Sequence, residues 1–446
     1  MLYPLNPRRV CGDQRGVIRM VLLVLATAAL LPARLWAQVA PANDTVLGRI
    51  IAEAIAANPS LKRSRAMTRA ATARIRPAGA LPDPMLSAGV MNLTLPRLAF
   101  REHEMTQVSV ELSQEIPWPG TLGARTAVAR AQAQSSQAET AARRRQIIVQ
   151  TAALYYRLRY VVTARATLRR QRQLLSAGVE ISTARYATTT APQSDPLQAR
   201  VALARLDTEE AELIAQETEL RAQLDALRNV GGLDSLQIEP IRPELVPSAV
   251  HLTSVIPGVT PADSRDPDSL PNHPRLMARR AEIEAAEQAV RVEQLGARPD
   301  FRFMTQYGAR PLGSDFFSAL VGIRIPLYAG RKQLRLADAA RAEAVAARAA
   351  LAEEQAELVE EIRTVRAQIR TGATRLRLLT EQVVPAAQAT VDASLRVYRV
   401  GNVEFLTVLA AEDALYRAEL DAARVAAEHL THFVMLEQLL ALGEGR

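Results

Sequence analysis

Between Arg331 and Val400 the apolar positions Leu351, Leu358, Ile362, Val365, Ile369, Leu376, Leu379 and Val383 step by sevens, or by alternating fours and threes, with Gly372 filling one slot. That period predicts a helix packed lengthwise on others. Pro385 is the only proline of the stretch and Gly372 its only glycine. At the helical rise the segment spans ~100 Å, too long for the core of a compact domain. It is too charged to cross a bilayer as a helix. A second stretch, Thr121 to Tyr186, has no proline and carries Ile147, Leu154, Leu158, Val161, Leu168, Leu175 and Val179 in one heptad frame, although Arg165 and Arg172 also fall on it. After a break at Thr188 to Pro192, a returning helix carries Leu203, Leu206, Leu213, Leu220, Leu224 and Leu227 and stops at Gly231-Gly232.

The shorter elements have different periods. Asp44 or Thr45 caps a first short helix with Leu47, Ile50, Ile51, Ala54 and Ile55, and Asn58-Pro59 ends it. A second helix runs from Pro59 to Arg76, where Pro77, Gly79, Pro82 and Pro84 stop it. Met85 to Leu95 alternates, as do Val108, Val110 and Leu112 against Ser109, Glu111 and Ser113. These predict two strands of ~10 residues, the length a tilted strand needs to cross an outer membrane. A soluble hairpin has the same period. Residues 231–271 hold seven prolines and no clear period.

The order of elements then repeats. Asn58-Pro59 answers to Asn272-His273-Pro274, Pro82-Asp83 to Pro299-Asp300, Ile116-Pro117 to Ile325-Pro326, Gly120 to Gly330, Tyr186 to Tyr398 and Leu197 to Leu409. The chain is a tandem duplication of helix, hairpin, long helix, break and returning helix. In the second repeat, two short helices of ~36 and ~57 Å placed end to end nearly match the one long helix of ~102 Å; in the first, the sum is ~82 against ~99 Å. The predicted boundaries are a leader over 1–37 and a first repeat over 38–230, with its hairpin at 85–115, long helix at 121–186 and returning helix at 194–228. A proline-rich equatorial linker follows over 231–271. The second repeat covers 272–446, with its hairpin at 301–325, long helix at 331–398 and returning helix at 404–441.

Composition fits this plan: aromatics are 4% of 446 residues and glycine is sparse, which suits extended helical packing. Arg8, Arg9, Arg15 and Arg19 flank an apolar run from Met20 to Leu31, and Leu35-Trp36-Ala37 ends in a small residue, the pattern of an export signal cleaved after Ala37. A retained membrane anchor is the competing reading. The one cysteine, Cys11, precedes the apolar run, so lipidation is not expected and the mature chain has no disulfide. Removing five Arg and one Asp with the leader lowers the net charge from +8 to +4. Arginines interspersed with Glu read as solvated helix faces, not a nucleic-acid surface.

Four strands cannot close a barrel, and an open sheet edge cannot face lipid. Three chains would supply twelve strands, within the range of membrane barrels. The helices would then form a tube below the barrel.

This order resembles the TolC-like outer-membrane efflux proteins. The resemblance is carried by Pro82-Asp83-Pro84, Glu115-Ile116-Pro117-Trp118-Pro119-Gly120, Pro299-Asp300, Ile325-Pro326-Leu327-Tyr328-Ala329-Gly330, and Tyr398-Arg399-Val400-Gly401-Asn402 leading into Phe405-Leu406-Thr407-Val408-Leu409. The Pro-Trp-Pro-Gly form is similar to the heavy-metal cation-efflux branch. The resemblance implies a mainly α fold with a small membrane β part: a homotrimer with a twelve-stranded barrel in the outer membrane and an α-helical barrel in the periplasm. It also implies a periplasmic adaptor and an inner-membrane pump of the RND type as partners, with no enzyme activity and no cofactor. The closable end would lie at the helix-turn-helix tips, with Tyr186 and Asp195 at one and Tyr398, Gly401 and Glu404 at the other. Thr189 stands at the first tip where Gly401 stands at the second. Trp118 and Tyr328 would mark the membrane interface. The rival reading is a periplasmic coiled-coil adaptor or scaffold without a pore.

Little points to other chemistry. His429 and His432, at i and i+3 beside Glu428, have a spacing that could hold a metal, but read more simply as a solvated helix end. His103 between Glu102 and Glu104 reads as an exposed loop, and Met85, Met91 and Met105 as strand or core positions. Asp195 and Glu404 each follow a tip. A ring of such carboxylates at a constriction favours cations; helix capping is the plainer role.

Overall fold

Helices dominate the computed structural model, which describes residues 45–93, 96, 99, 101–189, 191–231, 236–246, 272–400 and 403–440. Helices α1 (Thr45–Ala57) and α2 (Pro59–Ala78) are separated at Asn58, whose Oδ1 accepts from the Ser60 and Leu61 N–H groups and so caps α2. The strands β1 (Met85–Met91) and β2 (Gln107–Ile116) follow, then α3 (Thr121–Ala187) and α4 (Ser194–Arg228). The second repeat supplies α5 (Pro274–Leu295), β3 (Asp300–Ala309), β4 (Phe316–Arg324), α6 (Gln333–Leu378), α7 (Val384–Arg399) and α8 (Phe405–Leu440). The leader, Cys11, Gly401 and most of the linker fall outside the described residues; within the linker, Pro243–Leu245 forms one 3-10 turn. No described helix is long and apolar enough to cross a membrane.

Helix α3 runs unbroken for 67 residues, ~100 Å. Its predicted seam is buried at Ile147, Leu158, Val161, Leu168 and Leu175. The two arginines on the same frame are answered by α4: Arg165 pairs with Glu217, and Arg172 Nε lies 3.0 Å from Asp207. The seam therefore alternates apolar contacts with bridged charges.

The second long helix departs from its expected course. Leu358, Ile362, Val365, Ile369 and Leu376 are buried, but Val383 is 44% exposed. A single π turn, Leu379–Val383, separates α6 from α7, and the Val384 N–H bonds to the Leu379 carbonyl, five residues back. The wider turn sits just before Pro385, which has no N–H to continue the ladder. It advances the phase by one residue, so Val384, Ala387, Val391 and Leu395 face the partner helix below it. A strict heptad continued through Pro385 therefore misassigns Val383.

Smaller expectations also shift. Helix α2 continues through Pro77 to Ala78, two residues beyond the predicted stop. Strand β1 ends at Met91 because Asn92 turns with φ 58° and its amide donates to the Met105 carbonyl at 3.0 Å. His429 is not on a solvated helix end: it is fully buried, edge-on to Phe433 with ring centroids 4.5 Å apart. Gly372 makes the room, since a Cβ there would lie 2.9 Å from His429 Nδ1.

The four strands pair antiparallel in the order β1-β2-β3-β4. Val110 faces Tyr307 and Tyr307 faces Phe317 across the ladder, so Leu86, Val110, Phe303, Tyr307, Phe317 and Val321 share one face. All six are exposed. Ser109, Glu111, Ser113, Arg302, Gln306 and Ser318 share the other. The register thus makes one wall largely apolar and the other mostly polar, interrupted by Met85, Met91, Met304, Phe316 and Leu320, with β1 and β4 as the edges among the described residues.

Glu412 on α8 is 5% exposed and lies against α3, where Gln171 Nε2 donates to it at 3.4 Å. Burial raises its carboxyl pKa to about 7. Nearby charges are paired elsewhere: Arg170 with Glu419 at 3.0 Å, Arg172 with Asp207, and Glu209 with the Tyr416 hydroxyl at 2.7 Å.

Two outcomes follow from this packing. Gly372→Leu drives a side chain into His429 and lowers stability by ~1–3 kcal/mol, while adding His429→Ala recovers part of the loss, both read from thermal unfolding. The folded state holds the Glu412 proton that the unfolded chain gives up above about 4.5, so stability falls as pH rises from there through about 7, by at most ~3 kcal/mol. Glu412→Gln removes that slope in denaturation midpoints measured across the range.

Candidate functional site: the paired hairpin tips

The end of the helices opposite the sheet is built from two turns. In the first, α3 ends at Ala187, Thr189 adopts φ 58°, and α4 starts at Ser194. Positive φ is costly for a β-branched residue. The position therefore demands what glycine supplies, although the sequence provides Thr189. In the second, α7 ends at Arg399 and α8 starts at Phe405; the exposed Glu404 contributes its carbonyl to the Thr407 N–H at 3.1 Å.

The two tips pack on each other within one chain. Leu175, Ala199, Tyr398, Phe405 and Val408 form one buried cluster drawn from α3, α4, α7 and α8. The Tyr398 and Phe405 rings lie 5.3 Å apart, and Phe405 closes on α3 at Gly178, where a Cβ would stand 3.2 Å from Cζ.

Polar groups converge at the same point. Arg185, near the end of α3, donates to the Tyr398 carbonyl at 2.7 Å, and its guanidinium lies 4.6 Å from the ring centre. Asp195, in the first turn of α4, is only 5% exposed. It is not the N-cap of α4, which is Gln193 with no side-chain cap bond, but it is the acidic residue of the first turn, where its charge suits the helix N-terminus, and the Ser194 hydroxyl donates to it at 3.5 Å. Its charge also bears on the Tyr398 hydroxyl, whose pKa is raised by burial and next by Asp195, against a lowering from Arg185. The site joins the buried Asp195 and Tyr398 to the partly buried Arg185, and the Arg185 bond to the Tyr398 carbonyl links hairpin one to hairpin two, while the Tyr398 hydroxyl has no hydrogen-bond partner among the described residues.

Of the expected tip residues, Asp195 and Tyr398 are brought together. Tyr186 is 44% exposed and stands apart, Glu404 faces solvent, and Gly401 lies outside the described residues. Arg185 was missed by the sequence reading. Its only signal was its place beside Tyr186, among many arginines of the same helix.

At the opposite end, Trp118 is half-buried. It stacks on Phe301 with centroids 5.9 Å apart, and its backbone N–H donates to Asp300 Oδ1 at 2.9 Å. Arg324 joins that carboxylate to Glu115, 2.8 Å away. Tyr328 is 75% exposed. Among the described residues no group of three or more His, Cys, Asp and Glu side chains could hold a metal ion.

Comparison with known proteins agrees with this architecture. The outer-membrane channel OprN shares 18% identity over 90% of this chain and 91% of its own, with a TM-score of 0.77. CusC, solved in a study of folding and transmembrane channel formation, shares 15% over 90% and 93%, with a TM-score of 0.78. The outer membrane protein VceC from Vibrio cholerae shares 21% over 89% and 96%, with a TM-score of 0.74. No curated protein sequence matches. The pattern of the family described as Outer membrane efflux protein matches residues 50–232 and 267–442, one segment in each repeat. Carrying that pattern twice over most of its length, the chain belongs to the outer membrane efflux protein family, whose members are channels of the outer membrane.

Proposed function

We propose that three copies of this chain, exported by the 1–37 leader and not lipidated, form the passive exit duct of a tripartite efflux system. The observation that carries this reading is the four-stranded sheet with one largely apolar face, one mostly polar face and, among the described residues, two unpaired edges. Strands β2 and β3, at 10 residues each, have the length of tilted membrane strands. Three such sheets give a twelve-stranded barrel with lipid outside and water inside. The aromatic and arginine contacts around Trp118 then fix the junction of barrel and helices, and the exposed Tyr328 sits at the lipid interface.

The helices form the periplasmic conduit beneath. Its closable end is the tip cluster, where Asp195, Tyr398 and Arg185 hold hairpin two against hairpin one, while Tyr186 and Glu404 belong to the outer turns that meet the adaptor. Exposed Leu197, Val201 and Leu406 beside the tips give a helical adaptor apolar surface to dock on. The inner-membrane pump, of the RND type, supplies the energy. The domain division follows the repeats: 38–230, an equatorial linker over 231–271, and 272–446. No observation favours a poreless adaptor.

Light scattering on the mature protein, extracted from outer membranes in mild detergent, is expected to give the mass of three chains; a soluble monomer would overturn the reading. In planar bilayers Arg185→Ala, which removes the bond to the Tyr398 carbonyl, and Asp195→Ala each free hairpin two and raise single-channel conductance severalfold. Glu404→Ala weakens adaptor binding with little change in conductance. Unchanged conductance in the first two variants would remove them from the gate.

A further inference from the structure

Helix α2 carries Lys62, Arg63, Arg65, Arg69, Arg74 and Arg76 and no acidic residue. All six are exposed, and among the described residues none has an ion-pair partner. Its counterpart in the second repeat is different: α5 is mixed in charge, with Arg275 and Arg279 bridged to Glu354 on α6. On α6, Glu343, Glu353 and Glu360 are exposed and, among the described residues, outside any ion pair; the exposed positions between them are alanines, the 63% exposed Val345 and the paired Arg348 and Glu357, with the exposed Arg363 one turn past Glu360. A cationic helix face and an acidic one are therefore both left open.

Their places in the fold relate them. In the upper half of the conduit α2 packs on α3, α3 on α5 and α5 on α6, so α2 and α6 are the two ends of the row. The sheet has the same ends. Helix α2 leads into the edge strand β1, and the edge strand β4 leads into α6. Closing β1 on the β4 of another copy therefore carries α2 to the α6 beneath that strand.

The levels agree as well. Ser64 meets Thr140 and Thr68 meets Ser136 between α2 and α3. His273, at the start of α5, shares a cavity with Ala142 and Gln146 of α3. Arg279 meets Glu354 and Glu287 meets Arg348 between α5 and α6. Followed across the wall, these contacts put Arg69 level with Glu353, Lys62 with Glu360 and Arg76 with Glu343, to within about one helical turn. Rotational symmetry keeps equal heights equal in every copy.

We infer that the conduit is sealed between neighbouring copies by an electrostatic seam in which the cationic outer face of α2 docks on the acidic, alanine-rich outer face of α6 in a second copy of this chain. Alanines on both helices, such as Ala70 and Ala349, allow close approach, and the flanking charges fix the register. Exposed pairs of this kind contribute little singly, so the seam gives specificity of edge and register more than strength. The inference rests on the proposed trimer for the number of copies, but not for the identity of the edges.

The test is a disulfide across the seam. Ala70→Cys and Ala349→Cys are placed together in a Cys11→Ser background, the protein is oxidised in outer membranes, and chains are separated under denaturing, non-reducing conditions. Covalent dimers and trimers are expected from the double variant and neither single one. Ala70→Cys alone crosslinking would put α2 against α2 and overturn the seam. A three-chain mass by light scattering without crosslinking would overturn the seam and leave the trimer standing. Crosslinking with some other mass would do the reverse, and a monomer without crosslinks would overturn both. Arg69→Glu combined with Glu353→Arg is expected to restore the oligomer that either change alone weakens severalfold; failure of that rescue assigns the α2 cations elsewhere.

Discussion

A strand edge facing hydrocarbon must find a hydrogen-bond partner, and that requirement organises the molecule. The β1–β4 sheet is largely apolar on one wall and mostly polar on the other, so neither face can be hidden inside this chain. The unpaired N–H and C=O groups of β1 and β4 make a single copy incomplete in a membrane, where no water satisfies them. The helices inherit the same two edges, because α2 leads into β1 and β4 leads into α6. In the proposed channel, closing the barrel would thereby decide which helices of neighbouring copies meet.

Below the sheet the design problem is a wall of long helices wet on both sides. A purely apolar seam of ~100 Å would be an aggregation hazard in a chain awaiting assembly. The structure instead interleaves apolar layers with bridged charges, as where Arg165 and Arg172 of α3 meet Glu217 and Asp207 of α4. These pairs set register more than they add stability. Where the two long helices differ, the cause is local. A π turn just before Pro385 shifts the seam, and Gly372 yields its slot to His429.

Much of this was legible because its physics is periodic. Heptads mark α3, α4 and α6, and the repeat of the element order marks α8. Alternation located the strands. Features that break a period were not legible. The shift at Val383 arises from a π turn, which no spacing rule places. The end of β1 depends on the φ of Asn92. His429 read as exposed because Glu428 and His432 stand beside it, although Val425, Ala426, Leu430 and Phe433 around it are buried; the room for it is made by a glycine on another helix, 57 residues earlier in the sequence. At the tip, Asp195 and Tyr398 were found as members of a pattern, whereas Arg185 is recognisable only once α3 and α7 are side by side.

The duplication explains both the economy of the fold and the location of its specific parts. Tyr186 and Tyr398 hold equivalent positions, yet one is exposed and the other is buried against Asp195 and Phe405. The α2 and α5 helices are likewise equivalent, yet one is wholly cationic and the other is bridged within the chain. Identical repeats would give a sixfold wall with no distinction between contacts inside a copy and contacts between copies. At the tips the divergence leaves hairpin two tied to hairpin one by the Arg185 bond to the Tyr398 carbonyl. At α2 and α5 it leaves one helix bridged to α6 within the chain and the other with its cations exposed. In the proposed channel the repeats would supply the wall, and the residues where they disagree its gate and its seams.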